Sequence, residues 1–148
     1  MSHSYYELHY HLVWATRLRE PAILPEVQDR LYGCIREKCE ALGCRVHEIG
    51  GVRDHIHLAL AVPAPVAVAR VAHDAKGSSS HLMNSEAIGK GLYWQQGYGA
   101  VSIRRKDVPI VREYIRQQER RHAEDRLWPE LERTSSDACA QASKPSAG

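Results

Sequence analysis

Apolar and polar side chains alternate along two stretches of the chain. Residues 6–14 alternate large apolar side chains with Glu7, His9 and His11, and residues 52–62 contain the run DHIHLAL. A period of two predicts β-strands, because successive side chains of a strand point to opposite faces. In the second stretch His55 and His57 therefore share one face, and Ile56, Leu58 and Leu60 share the other.

The remaining pattern predicts three helices and two further strands. Helical spacing of apolar positions over 26–42 lies between Pro25, suited to the first turn, and Gly43, suited to a helix end. In chain order the other predicted elements are a strand over 44–49, a turn at Gly50-Gly51, a helix over 66–82, a glycine- and aromatic-rich loop over 89–99, a strand over 101–103 and a last helix from Val108 to about Leu127, capped by Asp107.

This order of elements predicts one α+β domain over residues 1–132. Strand, helix, strand, strand, helix and strand form the split β-α-β arrangement of a ferredoxin-like (RRM-like) fold, with an antiparallel sheet and helices on one face. The extra C-terminal helix would follow that unit. From Arg133 to Gly148 the chain is rich in Ser, Ala, Lys and Pro, and we expect a disordered tail.

Composition narrows the class of protein only moderately. The 148 residues carry a net charge of +2, but nine of them are histidines, an unusual number for so short a chain. Residues 104–126 hold eight Arg or Lys against five Asp or Glu, an excess that suits a phosphate backbone or a solvated helix face.

The cysteines and the apolar runs indicate a cytoplasmic protein. The four cysteines show no C-x-x-C spacing, so we expect free thiols in a reducing compartment. No signal peptide is visible at the N-terminus. The longest apolar run, 58–69, is interrupted by Pro63 and Pro65 and is too short to span a membrane.

Candidate chemistry lies on one strand and on the last helix. Two imidazoles on one strand face are half of a metal site, or else two surface histidines. On the last helix Tyr114 and Gln118 are four residues apart, which places a possible nucleophile beside a possible ligand, and His122 extends the same stripe. Imidazole and carbonyl donors with open positions suit Mg²⁺ or Mn²⁺ engaging a phosphate.

Taken together, these motifs resemble those of one family, the single-tyrosine HUH transposases of the insertion sequence 200/605 group. The resemblance covers about residues 9–122. Its pieces are His11-Leu12-Val13-Trp14-Ala15-Thr16-Arg17 with Arg19, Asp54-His55-Ile56-His57, Lys76-Gly77-Ser78-Ser79, Trp94-Gln95-Gln96-Gly97-Tyr98 and Tyr114-Ile115-Arg116-Gln117-Gln118. One departure is Gly99, at a position where the family often has an aromatic residue.

The resemblance implies a transposase that cuts and rejoins single-stranded DNA. His55, His57 and Gln118 would bind Mg²⁺ or Mn²⁺, with Gln117 a weaker candidate than Gln118. Tyr114 would attack the phosphodiester and form a 5′-phosphotyrosine. The substrate would be DNA hairpins at the ends of the mobile element, and the enzyme would be a homodimer whose active sites are shared between subunits.

Basic and aromatic side chains are the candidates for DNA contact. Charge and base stacking bind single strands, and the candidates are Arg17, Arg19, Lys76, Trp94, Arg104 and Arg105. Two alternatives stay open: a domesticated or inactive relative that only binds nucleic acid, and a replication-type HUH nickase with the same chemistry.

Overall fold

The computed structural model of the protein describes residues 4–86 and 91–135. Its strands and helices follow one another in the predicted order. They are β1 (His9–Ala15), α1 (Pro25–Ala41), β2 (Arg45–Val52), β3 (His55–Ala61), α2 (Val68–Ser85), β4 (Gly99–Ile103), α3 (Val108–Arg116), α4 (Gln118–Ala123) and α5 (Pro129–Glu132), with single 3₁₀ turns at Arg17–Arg19 and Arg105–Asp107.

The four strands form one antiparallel sheet in the order β2-β3-β1-β4. This order is the one that the split β-α-β arrangement requires, so the predicted ferredoxin-like fold is confirmed. The register places Ala15 of β1 opposite His55 of β3, and Val13 opposite His57. The two histidines therefore lie at the end of the sheet where β1 leaves it.

The two faces of the sheet have different coverings. Helices α1 and α2 pack on one face around a core that includes Leu12, Trp14, Leu58 and Leu60, all fully buried. Helix α3 packs against β2 and β3 on the other face, through a small cluster of Ala59, Val111 and Ile115 with Ile103 at its margin. The histidines of β3 point toward this second face, because they alternate with the core residues.

The predicted turn at Gly50-Gly51 is wrong. Both glycines lie inside β2, opposite His57 and Ile56, and the chain turns at Arg53-Asp54. A Cβ on Gly50 would lie 2.7 Å from Ile115 of α3, and one on Gly51 would lie 2.3 Å from the carbonyl oxygen of His55. Glycine is present here because α3 and β3 come close to the strand, and not because the chain reverses.

The predicted last helix is interrupted. Gln117 has φ −97° and ψ 17°, which separates α3 from α4, and α4 ends at Ala123. The first strand begins at His9 and not at Tyr6. Residues 87–90 and 136–148, which include part of the predicted loop and most of the predicted tail, lie outside the described residues. Within the described ranges no helix is long and apolar enough to cross a membrane.

Candidate metal site and nucleophile

Each histidine of β3 has one ring nitrogen held by a neighbouring side chain. Nδ1 of His55 lies 2.7 Å from a carboxylate oxygen of Asp54, and Nδ1 of His57 lies 2.8 Å from Nε2 of His11. Burial lowers the pKa of His11 to about 3, so His11 is neutral and its Nε2 can accept the Nδ1–H of His57. In its neutral form each β3 histidine then carries its proton on Nδ1 and keeps a lone pair on Nε2. Burial opposes a charge on His55, but its contacts with the carboxylates of Asp54 and Glu132 raise its pKa, so this ring also binds a second proton readily in the absence of a metal ion.

The two Nε2 atoms converge on the carboxylate of Glu132. Helix α5 brings this side chain over the sheet, where Oε1 lies 3.2 Å from His55 Nε2 and Oε2 lies 3.2 Å from His57 Nε2. Oε1 also lies 3.3 Å from Nε2 of His122 on α4. Burial alone would raise the pKa of Glu132, but the three histidines around it hold that pKa well below its usual range. Glu132 is therefore an anion.

These residues fit a divalent metal ion. The Nε2 atoms of His55 and His57 are buried, and within the described residues neither makes a hydrogen bond, which is uncommon for buried polar atoms. The potential ligand atoms of His55, His57, His122 and Glu132 all lie within 4.8 Å of one another. Two imidazole lone pairs beside a carboxylate can coordinate a metal ion, and Asp54 and His11 would fix the orientation of the two rings.

Tyr114 of α3 lies directly beside this cluster. Its side chain is fully buried, its hydroxyl donates a hydrogen bond to Oε2 of Glu132, and the backbone N–H of Trp128 donates to it at 3.1 Å. The ring stacks on Trp128 with centroids 4.6 Å apart, and the guanidinium of Arg121 lies 4.8 Å from its centroid. Burial and the hydrogen bond to Glu132 raise the pKa of Tyr114 to about 12, so the resting phenol is protonated.

Gln118 lies at the margin of the cluster. It is buried at the start of α4, and its Oε1 lies 3.0 Å from Nε2 of His122. Its contact with the β3 histidines is thus indirect. The neighbouring Gln117 bonds Glu113 at the exposed side of the helix. The assignment of Gln118 as a metal ligand stays a prediction.

The predicted DNA-contacting residues fall into two groups. Arg17, Lys76 and Trp94 line one cavity next to α2, and Arg19 lies beside the histidine cluster, with a guanidinium nitrogen 3.4 Å from His55 Nδ1. Arg104 and Arg105 lie beyond β4 and are paired with Asp107 and Glu7. Their contacts with DNA stay predictions.

Glu132 is the functional candidate that sequence reasoning missed. It follows Tyr114 by 18 residues across a helix break and a loop, so no helical or strand spacing connects the two. The position of Glu132 depends on Pro129, which ends the preceding loop and opens α5. His11 was part of a recognised motif, but its role as the partner of His57 is visible only in the register of β1 against β3.

Comparison with known proteins identifies relatives along most of the chain. The family described as "Transposase IS200 like" matches residues 4–118. The ISDra2 transposase TnpA of Deinococcus radiodurans is 26% identical over 119 residues, 76% of this chain and 85% of the relative. The transposase for insertion sequence element IS200 of Salmonella typhimurium is 28% identical over 125 residues, 80% of this chain and 81% of the relative.

Two solved structures share the fold. A crystal structure of a Deinococcus radiodurans R1 protein assigned as a transposase superposes with a TM-score of 0.64 at 24% identity, over 80% of this chain and 95% of the other. The structure of a REP-associated tyrosine transposase bound to a REP hairpin gives a TM-score of 0.62 at 16% identity, over 82% and 74%. The family match spans far more than half of the chain, and the chain therefore belongs to the IS200-like transposase family, whose members nick and transfer DNA strands.

Proposed function

We propose that this transposase cuts and rejoins single-stranded DNA hairpins at the ends of a small insertion sequence, with Tyr114 as the nucleophile. One observation carries the proposal: the Tyr114 hydroxyl and the Nε2 atoms of His55 and His57 meet at a single carboxylate, Glu132. This proximity supports a nucleophile acting beside a bound metal ion. A relative bound to a REP hairpin supports hairpins as the substrate class.

The metal is proposed to be Mg²⁺ or Mn²⁺. His55 and His57 would hold it, together with Glu132 or Gln118, and Glu132 is the better placed because it alone contacts both β3 histidines. When bound, such an ion offsets the negative charge of a phosphodiester and orients it. Removing the true third ligand should weaken Mn²⁺ binding by about tenfold or more, so calorimetric titration of Glu132→Gln and Gln118→Ala distinguishes the two candidates.

Tyr114 would then form and break the bonds to phosphorus. Its phenolic oxygen forms a bond to the phosphorus while the bond to the 3′-oxygen breaks, which releases a 3′-hydroxyl and leaves a 5′-phosphotyrosine. The proton of the phenol already faces Oε2 of Glu132, which is the nearest acceptor. Attack by a second 3′-hydroxyl reverses these steps and joins new strands without ATP.

A covalent adduct tests the nucleophile. The protein is mixed with Mn²⁺ and a hairpin oligonucleotide copied from the DNA that flanks its own gene, and the products are separated under denaturing conditions. We expect a protein–DNA adduct with the wild type and none with Tyr114→Phe, which keeps the ring and its packing. An adduct with the phenylalanine variant, or none with the wild type in any divalent metal, would contradict the assignment. A protein that only binds nucleic acid would retain the hairpin without forming the adduct.

We further propose that the protein works in the cytoplasm as a homodimer. The described chain brings Tyr114 within 5.9 Å of its own His57, ring centroid to ring centroid. Sites within one chain and sites shared between subunits are therefore both to be tested. Mixing Tyr114→Phe with His57→Ala restores one intact site per heterodimer only if the sites are shared, so recovery of the adduct on mixing would establish sharing and its absence would favour sites within one chain.

A further inference from the structure

A second feature lies at the same end of the sheet as the metal cluster. A cavity of about 490 Å³ separates α2 from the segment that precedes β4. Its walls include Arg17, Lys76, Gly77, Tyr93, Trp94 and Tyr98, and no carboxylate is among its described lining residues. The volume lies within the range of small-ligand pockets. Its surroundings are aromatic and positively charged.

The two aromatic residues Trp94 and Tyr93 differ in how far they are fixed in place and exposed to a ligand. Trp94 is held in place by a hydrogen bond from its indole N–H to Ser79, 3.0 Å, and by an edge contact with the core residue Trp14. Tyr93 is 54% exposed, and the guanidinium carbon of Arg17 lies 4.6 Å from its ring centroid. A rigid aromatic wall, an exposed ring and an arginine beside it are the groups on which an unpaired base stacks.

Lys76 shapes this cavity. Its ammonium group donates to the carbonyl oxygens of Gln95 and Gly97 at 2.8 and 2.9 Å, which ties α2 to the opposite wall. An ammonium group has three N–H donors, so one remains for a phosphate oxygen. Lys76 is thus a positioning residue for the wall as well as a source of positive charge.

The cavity is connected to the metal cluster through the end of β1. Thr16 pairs with Trp94, and the N–H of Arg17 donates to the carbonyl of Tyr93 at 2.8 Å. On the other side the N–H of Thr16 donates to the carbonyl of Asp54, also at 2.8 Å, next to His55. Arg17 lines the cavity and Arg19 contacts His55, so a strand crossing from one site to the other would meet both arginines.

We propose that this cavity takes one unpaired nucleobase of the single-stranded DNA next to the cleaved phosphate. The base stacks on the Tyr93 side, while Arg17 and Lys76 face the adjoining phosphates. A base inside a duplex is already paired and stacked and cannot enter, so the cavity selects single-stranded DNA. The inference rests on the proposed function, which supplies the single-stranded substrate.

Two glycines allow a matched test. Gly77 lines the cavity in α2, Gly33 is an exposed position within α1, and a Cβ on either would meet no atom within 4 Å. Gly77→Leu should narrow the cavity without removing a charge, whereas Gly33→Leu makes the same chemical change elsewhere. A second pair, Tyr93→Ala and the exposed Tyr5→Ala, removes the stacking ring and a control ring.

The measurement is the binding of the flanking-DNA hairpin oligonucleotide with EDTA present, so that no cleavage occurs. Each unpaired nucleotide is replaced in turn by an abasic one. With the wild type, Gly33→Leu and Tyr5→Ala, we expect one position at which loss of the base weakens binding about tenfold. With Gly77→Leu and Tyr93→Ala that penalty should disappear, because these variants no longer bind the base and its removal therefore changes nothing.

Any other pattern overturns the proposal. If no abasic position weakens binding, or if the penalty persists unchanged in Gly77→Leu and Tyr93→Ala, the cavity does not hold a base. The covalent adduct is measured separately, with Mn²⁺. Loss of the adduct with a retained abasic penalty would refute the strand-transfer chemistry alone, and the reverse result would refute the cavity alone.

Discussion

The side chains on the two faces of β3 are buried to the same degree but have different roles. One face packs in the apolar core, and the other presents the histidines of the candidate metal site. Ile56, Leu58 and Leu60 are 0% exposed and pack against α1 and α2. His55 and His57, which alternate with them, are 1% and 0% exposed. The three β3 side chains on the first face are entirely apolar. On the second face, the Nε2 atoms of both histidines have no hydrogen-bond partner among the described residues and point at Glu132.

Within this single strand, one face contributes to the stability of the fold and the other carries the candidate reactive groups. Burying apolar side chains stabilises the fold, by about 1.5–3 kcal/mol for each fully buried leucine or isoleucine. Burying an imidazole nitrogen without a hydrogen bond costs free energy. The apolar face therefore offsets the cost of the face that holds reactive groups, and substitutions on the two faces should have separable effects.

The largest effect is expected from His57→Ala on cleavage. If His57 binds the metal ion as proposed, loss of its imidazole should remove several kcal/mol of transition-state stabilisation, about 10³-fold in rate, and cleavage should fall below detection. Hairpin binding should be largely retained, because His57 is buried and contacts no surface. The check is adduct formation at saturating DNA, with circular dichroism to confirm folding. Retained cleavage would refute the metal role.

Leu58→Ala, one residue further along, should show the opposite behaviour. Its leucine side chain is enclosed by the core, so truncation should lower the free energy of unfolding by about 2–5 kcal/mol. Cleavage should persist at temperatures well below the melting midpoint. Urea unfolding measures the loss, and the matched control is Leu18→Ala, because Leu18 is 81% exposed and should change stability by no more than about 0.5 kcal/mol. Equal losses at both leucines would contradict the division between faces.

The sequence predicted the apolar face of β3 and, on the other face, the two histidines. Alternation placed His55 and His57 together because a strand has a fixed period, and the order of elements restricted the sheet topology to a few possibilities. The turn at Gly50-Gly51 was predicted wrongly because glycine also serves where elements approach closely. Only the docked position of α3 explains why Gly50 has no room for a side chain.

The rest of the site could not be read from local spacing. Glu132 and His11 reach His57 from α5 and β1, through contacts set by tertiary packing. The break at Gln117 likewise has no proline or glycine to indicate it. The family resemblance supplied Tyr114 and Gln118, and the structure adds Glu132 as the side chain that joins the tyrosine to the histidines.

An intermediate effect is expected from substitution of His11, the residue that orients the His57 ring. In His11→Leu, Nδ1 of His57 loses its acceptor, so the ring is no longer held in the metal-binding tautomer and Mn²⁺ affinity should fall about 10–100-fold. His9→Leu is the matched control, since His9 is also buried on the same face of β1 but bonds His47 and Glu7. Calorimetric Mn²⁺ titration gives both values. His11→Gln, whose carbonyl can accept the same hydrogen bond, should recover part of the affinity, and equal weakening at His9 and His11 would reduce the role of His11 to packing.

The smallest effect is expected from Arg104→Ala. It distinguishes DNA binding by an exposed charge from DNA binding by the cavity that Arg17 lines. The Arg104 side chain is 71% exposed and pairs with Asp107 at 2.9 Å, and exposed pairs of this kind contribute about 0–1 kcal/mol to stability. If Arg104 contacts only the phosphate backbone, its loss should weaken hairpin binding uniformly across sequences and lower the salt dependence by about one unit. Arg17→Ala should do more, because Arg17 also loses its stacking on Tyr93 beside the cavity, so its effect should persist at high salt and be lost with an abasic nucleotide. If the two arginines instead give the same salt slope and the same insensitivity to the abasic nucleotide, then the cavity beside Arg17 contributes to DNA binding by charge alone.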